Sequence, residues 1–237
     1  MDVELKEVVD SIQNKYSPVS IFLYGSRARR DFLEDSDYEI GVLYKTDNKI
    51  SRSELKELNP YDNIVVYPFQ YESIIEYKLD TPFPERIYLR DITQSAKTIA
   101  GEVVIEKIKP PTIRAIDVLQ TLVFHTGIAL AAILSHRQKD FVTARAEFSK
   151  SCLFSARCLL ILEKGEFPLS YDDIYERSMD LGVGEYEEVI KHAMEVRKGT
   201  EINPALLFKN LSFQNQFIKP KILKIIEGKG GSYELVS

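Results

Sequence analysis

The sequence predicts an α+β chain, with a mixed sheet and flanking helices in the N-terminal part and an all-α helical bundle after it. Three observations carry this expectation. Apolar runs of strand length, at 19–24, 40–44 and 64–67, occur in the first half. From Thr112 onward those strand signals stop and a long helical period takes over. The change falls beside Lys109-Pro110-Pro111, which reads as a linker. The expected division is 1–108 for the sheet domain and 109–237 for the helical one.

The elements follow in order. Val8, Val9 and Ile12 fit one face of a helix over 3–15, stopped by Tyr16-Ser17-Pro18 because proline disfavours helix in the residue before it. A buried strand, Val19 to Tyr24, breaks at Gly25-Ser26, and a second begins at Ser36-Asp37-Tyr38-Glu39. Thr46 to Lys49 reads as a turn. Ser51 to Leu58 reads as a short helix with Ser51 and Glu54 as a capping box, stopped by Asn59-Pro60. Ile64 to Tyr67 is a third strand, closed by Pro68. Residues 85–100 read as a helix between Pro84 and Gly101. Helices are expected at 113–136, 140–164, 171–181, 185–198 and 204–227, with Gly228, Gly230 and Gly231 leaving a flexible tail.

Composition narrows the function classes. With 237 residues and 44% hydrophobic content, two cored domains are affordable in length. The net charge of −5 argues against nucleic-acid binding driven by overall charge, while Arg27, Arg29 and Arg30 make a local basic patch. Val118 to Leu134 is interrupted by Gln120, Thr121, His125 and Thr126 and reads as a buried helix, not a membrane span. The start, MDVELKEVVD, is acidic and unlike a signal peptide. Cys152 and Cys158 are six apart on a helix, face different sides, and suggest reduced thiols in a cytoplasmic protein.

The chemistry is concentrated between Phe22 and Tyr44, FLYGSRARRDFLEDSDYEIGVLY. Gly25 permits a tight turn and close approach of a ligand to the backbone. Ser26 and the amides after it open a helix, whose N-terminus favours phosphate. Asp37 and Glu39 are two apart, so on a strand they share a face. Two convergent carboxylates suit Mg²⁺, which takes oxygen ligands and bridges carboxylates to phosphates. Alone, Gly-Ser marks a turn and Asp-x-Glu a solvated strand face. Together, in strand–turn–helix–strand order, they specify more.

This stretch resembles the signature of the nucleotidyltransferase superfamily, and within it the minimal nucleotidyltransferases and the aminoglycoside adenylyltransferases. The match covers Tyr24-Gly25-Ser26-Arg27-Ala28-Arg29 and Ser36-Asp37-Tyr38-Glu39-Ile40. It departs at Arg30, where a second glycine is common, and at Glu39, where Asp is usual. The resemblance implies ATP or another NTP as substrate, with Gly25, Ser26, Arg27 and Arg29 on the nucleotide and Asp37 and Glu39 on Mg²⁺. It also implies a third carboxylate as metal ligand or base, for which Asp62 is the candidate beside a plain reading as a strand cap. The run Ser155 to Ser170 resembles the C-terminal helical domain of the aminoglycoside adenylyltransferases, with Tyr171 where Lys is usual.

The function expected is Mg²⁺-dependent transfer of a nucleoside monophosphate, AMP from ATP, to a hydroxyl of a small molecule or protein. The competing reading is a nucleotide-binding, non-catalytic or antitoxin-like regulatory protein of the same fold. No membrane partner is expected, nucleic acid is disfavoured and a homodimer stays open. His125, His136 and His192 show no metal spacing. Glu147 is a weaker candidate for acceptor contact. Tyr61, Tyr67 and Tyr71 are read as packing residues before base-stacking ones.

Overall fold

The computed structural model describes residues 2–34, 36–79, 81 and 83–237, with the main chain alone for Asn48. The chain divides into two units, Met1–Pro111 and Thr112–Ser237.

In the first unit α1 (Val3–Tyr16) leads into β1 (Ser20–Tyr24), α2 (Gly25–Arg29) and β2 (Tyr38–Tyr44). Then come α3 (Arg52–Glu57), β3 (Ile64–Gln70), α4 (Tyr71–Ile75), α5 (Glu85–Ser95) and β4 (Lys97–Gly101). The sheet order is β3-β2-β1-β4. β1 runs antiparallel to β2 and β4, and β2 parallel to β3. Strand alternation sends the two faces to different helices. Ile21, Ile40, Val42, Ile64 and Val66 pack on α1 and α3 through Val8, Val9, Ile12 and Leu55. Phe22, Tyr24, Leu43 and Phe69 pack on the other side under Ile74 of α4 and Leu89 and Ile92 of α5. Each such buried side chain contributes roughly 1.5–3 kcal/mol. Gly41 is required on that second face, because a Cβ there would overlap the Phe22 ring, 2.7 Å from Cε1. The Ser51–Glu54 capping box is present as read from the sequence.

Two expectations for this unit are corrected. The helix over 85–100 ends at Ser95, and Lys97–Gly101 is a strand on β1. Ala96 already has an extended ψ of 152°, and the β-branched Thr98 and Ile99 suit a strand. Pro68 does not close β3, which runs on to Gln70. β3 is an edge strand, where a residue without an N–H is tolerated.

The second unit holds β5 (Ile113–Arg114), α6 (Ala115–Arg137), α7 (Phe141–Lys164), α8 (Tyr171–Met179), α9 (Glu187–Arg197), α10 (Pro204–Ser212), α11 (Lys219–Lys229) and β6 (Glu234–Val236). α7 lies at its centre, against α6, α8 and α9, and buries Cys152, Leu153, Ala156 and Leu159. Cys152 and Cys158 are free thiols, and burial raises both, Cys158 to about 12. By length and composition α6 is apolar enough to cross a membrane. Here it buries Val118, Leu122, Ala129 and Ala132 and exposes Val123, Leu130 and Leu134.

The tail and the last helix also differ from expectation. The tail after Lys229 turns back as β6, antiparallel to β5. The carbonyls of Tyr233 and Gly231 accept from the N–H groups of Ala115 and Ile116, both at 2.9 Å. Those are donors a helix N-terminus leaves without intrahelical partners. The single helix over 204–227 is interrupted by a π-helical segment, Phe213–Ile218. Pro220 lacks an N–H to continue the α register. Buried Gln214 is tied by its Nε2 to Asn210 Oδ1 at 3.1 Å, and Asn210 Nδ2 donates to Ser151 Oγ at 2.9 Å.

His125 carries a pH prediction. It is 7% exposed, and its Nδ1 has no hydrogen-bond partner among the described residues. Burial, then the Arg157 guanidinium, push its pKa from 6.5 down to about 3. The unfolded chain binds a proton on this ring below pH 6.5 and the native chain does not. Stability therefore falls as pH drops from 6.5 towards 3, by about 1.4 kcal/mol per pH unit at the steepest, and this contribution is flat above 6.5. The ring signals of His125 in a pH titration by NMR should stay those of a neutral imidazole at pH 5. A midpoint near 6.5 would contradict this.

Candidate functional site

The turn between β1 and α2 is built around Gly25. Its φ is +72°, a left-handed conformation that favours glycine. A Cβ on it would also fall into the Glu39 carboxylate, overlapping Oε2 and lying 2.8 Å from Cδ. The register explains this contact, since Tyr24 of β1 is directly opposite Glu39 of β2. The Gly-Ser turn and the second acid of the motif therefore form one surface. α2 is capped by Arg30, whose φ of +66° costs a non-glycine residue roughly 1–2 kcal/mol.

Two tyrosine phenols on the same sheet face feel the Glu39 carboxylate. Tyr88 of α5 donates its hydroxyl to that of Tyr24 at 3.2 Å. Burial raises the Tyr24 phenol well above its usual value, and the Tyr88 phenol and the Glu39 carboxylate add to it. Burial raises Tyr88 as well. Both phenols stay protonated beside the acid. Sequence reasoning passed over this pair. Tyr24 lay inside the motif, but nothing local marked Tyr88, which the α5 fold-back delivers.

The other residues assigned from sequence are placed as follows. Asp37 is exposed, one residue before β2, and Glu39 is half-buried within it. Arg29 pairs with Asp31 at 3.4 Å, with side chains 9% and 5% exposed. Arg27 lies 4.0 Å from the Tyr38 ring centroid and donates through Nε to the Ser36 carbonyl at 2.8 Å. Asp62 is exposed in the turn before β3. The β3 residue level with Glu39 is Val65. Among the described residues no three His, Cys, Asp or Glu side chains gather as a metal-holding group. The lesser candidates have structural partners. Glu147 accepts from Ser135 Oγ at 3.1 Å, Tyr61 donates to Glu7, and Arg52 stacks on Tyr67. His192 Nε2 accepts from the Asn203 N–H at 2.9 Å.

Residues 5–110 match the family model described as a nucleotidyltransferase domain. These residues form a nucleotidyltransferase domain. Among curated proteins none matches the sequence. Among solved structures, spectinomycin adenyltransferase AAD(9) from Enterococcus faecialis, determined with ATP and spectinomycin, superposes with a TM-score of 0.54 at 13% identity. That match covers 94% of this chain and 96% of the other. The likeness is one of fold, and it extends through the helical unit as well as the nucleotidyltransferase domain. A Sulfolobus solfataricus protein assigned to the nucleotidyltransferases matches over 30% of this chain and 67% of its own, at 20% identity and a TM-score of 0.26.

The pair Asp37 and Glu39 suits Mg²⁺ by donor chemistry. Both are hard anionic oxygen donors, and Mg²⁺ is held by one or two carboxylates together with substrate phosphate and water. The Glu39 carboxylate lies against the Gly25 turn.

Proposed function

We propose that the protein is a Mg²⁺-dependent nucleotidyltransferase that moves AMP from ATP to a hydroxyl of an acceptor molecule. The observation that carries this reading is the Glu39 carboxylate lying against Gly25. It joins a phosphate-binding turn to a metal-binding acid within a nucleotidyltransferase domain. In this reading Asp37 and Glu39 hold the Mg²⁺, which when bound neutralises the triphosphate and makes the α-phosphorus more electrophilic.

The chain's own groups do the rest. The backbone amides after Gly25 and the Ser26 hydroxyl hold phosphate oxygens and fix the triphosphate for in-line attack. Arg29, anchored by Asp31, adds positive potential where negative charge develops. The acceptor oxygen bonds to the α-phosphorus, the bond to the pyrophosphate oxygen breaks, and pyrophosphate departs. The hydroxyl proton goes to a general base. Asp62 at the entry to β3 is kept for that role, because acid–base contacts tighten only with substrate in place. A small-molecule acceptor agrees with the AAD(9) neighbour, which was solved with spectinomycin.

A second reading, nucleotide binding without turnover, is favoured by one observation: the β3 position level with Glu39 is the apolar Val65. One experiment separates the two. ATP labelled at the α-phosphate is incubated with Mg²⁺ and a panel of hydroxyl compounds and proteins. Label in an acceptor with matching pyrophosphate release supports transfer. Nucleotide binding with no pyrophosphate across the panel supports the second reading.

A further inference from the structure

The connection between α2 and β2 carries Asp37; at its start the Asp31 N–H donates to the Ser26 carbonyl at 3.1 Å and Asp31 pairs with Arg29, and further along Arg27 fastens it. Within it, the Leu33 N–H donates to Ser36 Oγ at 2.9 Å and the Ser36 N–H to the Leu33 carbonyl at 3.0 Å, closing a small turn. Its apolar side chains do not anchor it, since Phe32 is 45% and Leu33 37% exposed. A segment with so little buried apolar surface opens at low cost unless something else holds it. For the described residues between Asp31 and Tyr38, Arg27 supplies that hold. Its Nε donates to the Ser36 carbonyl at 2.8 Å and its Nη2 to the Glu34 carbonyl at 3.4 Å. Its guanidinium carbon lies 4.7 Å from the Phe32 ring centroid and 4.0 Å from that of Tyr38. One side chain of α2 thus grips the turn, the aromatic residue before it and the first residue of β2.

Asp37 sits between two fixed points. On one side the Ser36 carbonyl is bonded to Arg27, and on the other the Tyr38 N–H donates to the Asn63 carbonyl at 2.8 Å. We propose that Arg27 is a positioning residue that sets the backbone of Asp37 for metal binding, and that it does not contact the nucleotide. This rests on the Mg²⁺-nucleotide reading of the site. The role calls for arginine, whose planar cation stacks on rings while its N–H groups bond carbonyls in the plane, which the point charge of lysine does not reproduce.

The test is a double-mutant cycle. The affinity for a non-hydrolysable ATP analogue with Mg²⁺ is measured for wild type, Arg27→Gln, Asp37→Asn and the double variant. Amide exchange at Leu33 and Ser36 is followed by NMR in the same proteins. Arg27→Gln is expected to weaken binding by about tenfold to a hundredfold, as loss of an outer-shell partner does at metal sites. It should add almost nothing in the Asp37→Asn background, and it should speed exchange at both amides. Phe32→Leu, at an exposed position, perturbs the same grip more mildly and should act in the same direction. Arg27→Lys should not restore binding. Equal, additive losses in both backgrounds would mean that Arg27 touches the nucleotide itself and overturn the proposal. So would unchanged exchange at Leu33 and Ser36, or full rescue by lysine. Failure of the wild type to bind the analogue would instead sink the functional reading, and this inference with it.

Discussion

Gly25→Ala is expected to lower kcat/KM for nucleotide transfer by at least about a hundredfold, the size of effect that a displacement of about 1 Å at a reacting centre produces. Two causes act together. The φ of +72° costs an L residue roughly 1–2 kcal/mol. The added Cβ would also occupy the place of the Glu39 carboxylate, so either the acid or the turn must move. Both are parts of the proposed site, and either movement separates metal from phosphate. The fold should survive, because the cluster on the α1 face includes no residue of this turn, and the other reaches it at Tyr24 while also resting on Phe22, Leu43, Phe69 and Leu89. Steady-state kinetics together with thermal unfolding check the prediction. Full activity in Gly25→Ala would show that Glu39 is not held against the turn in the working protein.

Asp37→Asn is expected to abolish Mg²⁺-dependent turnover with little change in stability. The substitution keeps the shape and removes the ligand charge, and Mg²⁺ depends on anionic oxygens. Asp37 is exposed, and substitutions at such positions away from the core usually fall within about 0.5 kcal/mol. Glu39→Gln should do the same, and the double variant should lose no more than either alone, since the pair acts as a unit. Pyrophosphate release against Mg²⁺ concentration reads this out. Wild-type turnover in Asp37→Asn would remove that residue from the metal site.

The β1–turn–β2 segment was legible in the sequence because its signals are local. A strand-length apolar run, a glycine that takes a positive φ, and two acids at strand spacing all act within about twenty residues. The helical half was legible through its period. The misread elements depend on partners far along the chain. β4 exists because β1 offers it an edge, and β6 because β5 and the start of α6 take its hydrogen bonds. Pro68 reads as a stop in the sequence because the edge position of β3 is a property of the sheet. The site divided in the same way. Gly25 and Glu39 could be paired from spacing, whereas the Tyr24–Tyr88 contact and the valine level with Glu39 follow from tertiary register. Arg27 was visible as a charge, but its role depends on the rings and carbonyls around it.

The central claim is that the Gly25–Ser26 turn and the Asp37–Glu39 pair make one Mg²⁺-nucleotide site. Calorimetric titration of the wild type with a non-hydrolysable ATP analogue, in Mg²⁺ and in EDTA, tests it most directly, with Asp37→Asn alongside. Binding that is strong in Mg²⁺ and much weaker both in EDTA and in Asp37→Asn is the predicted result. Equal affinity under all three conditions would contradict it.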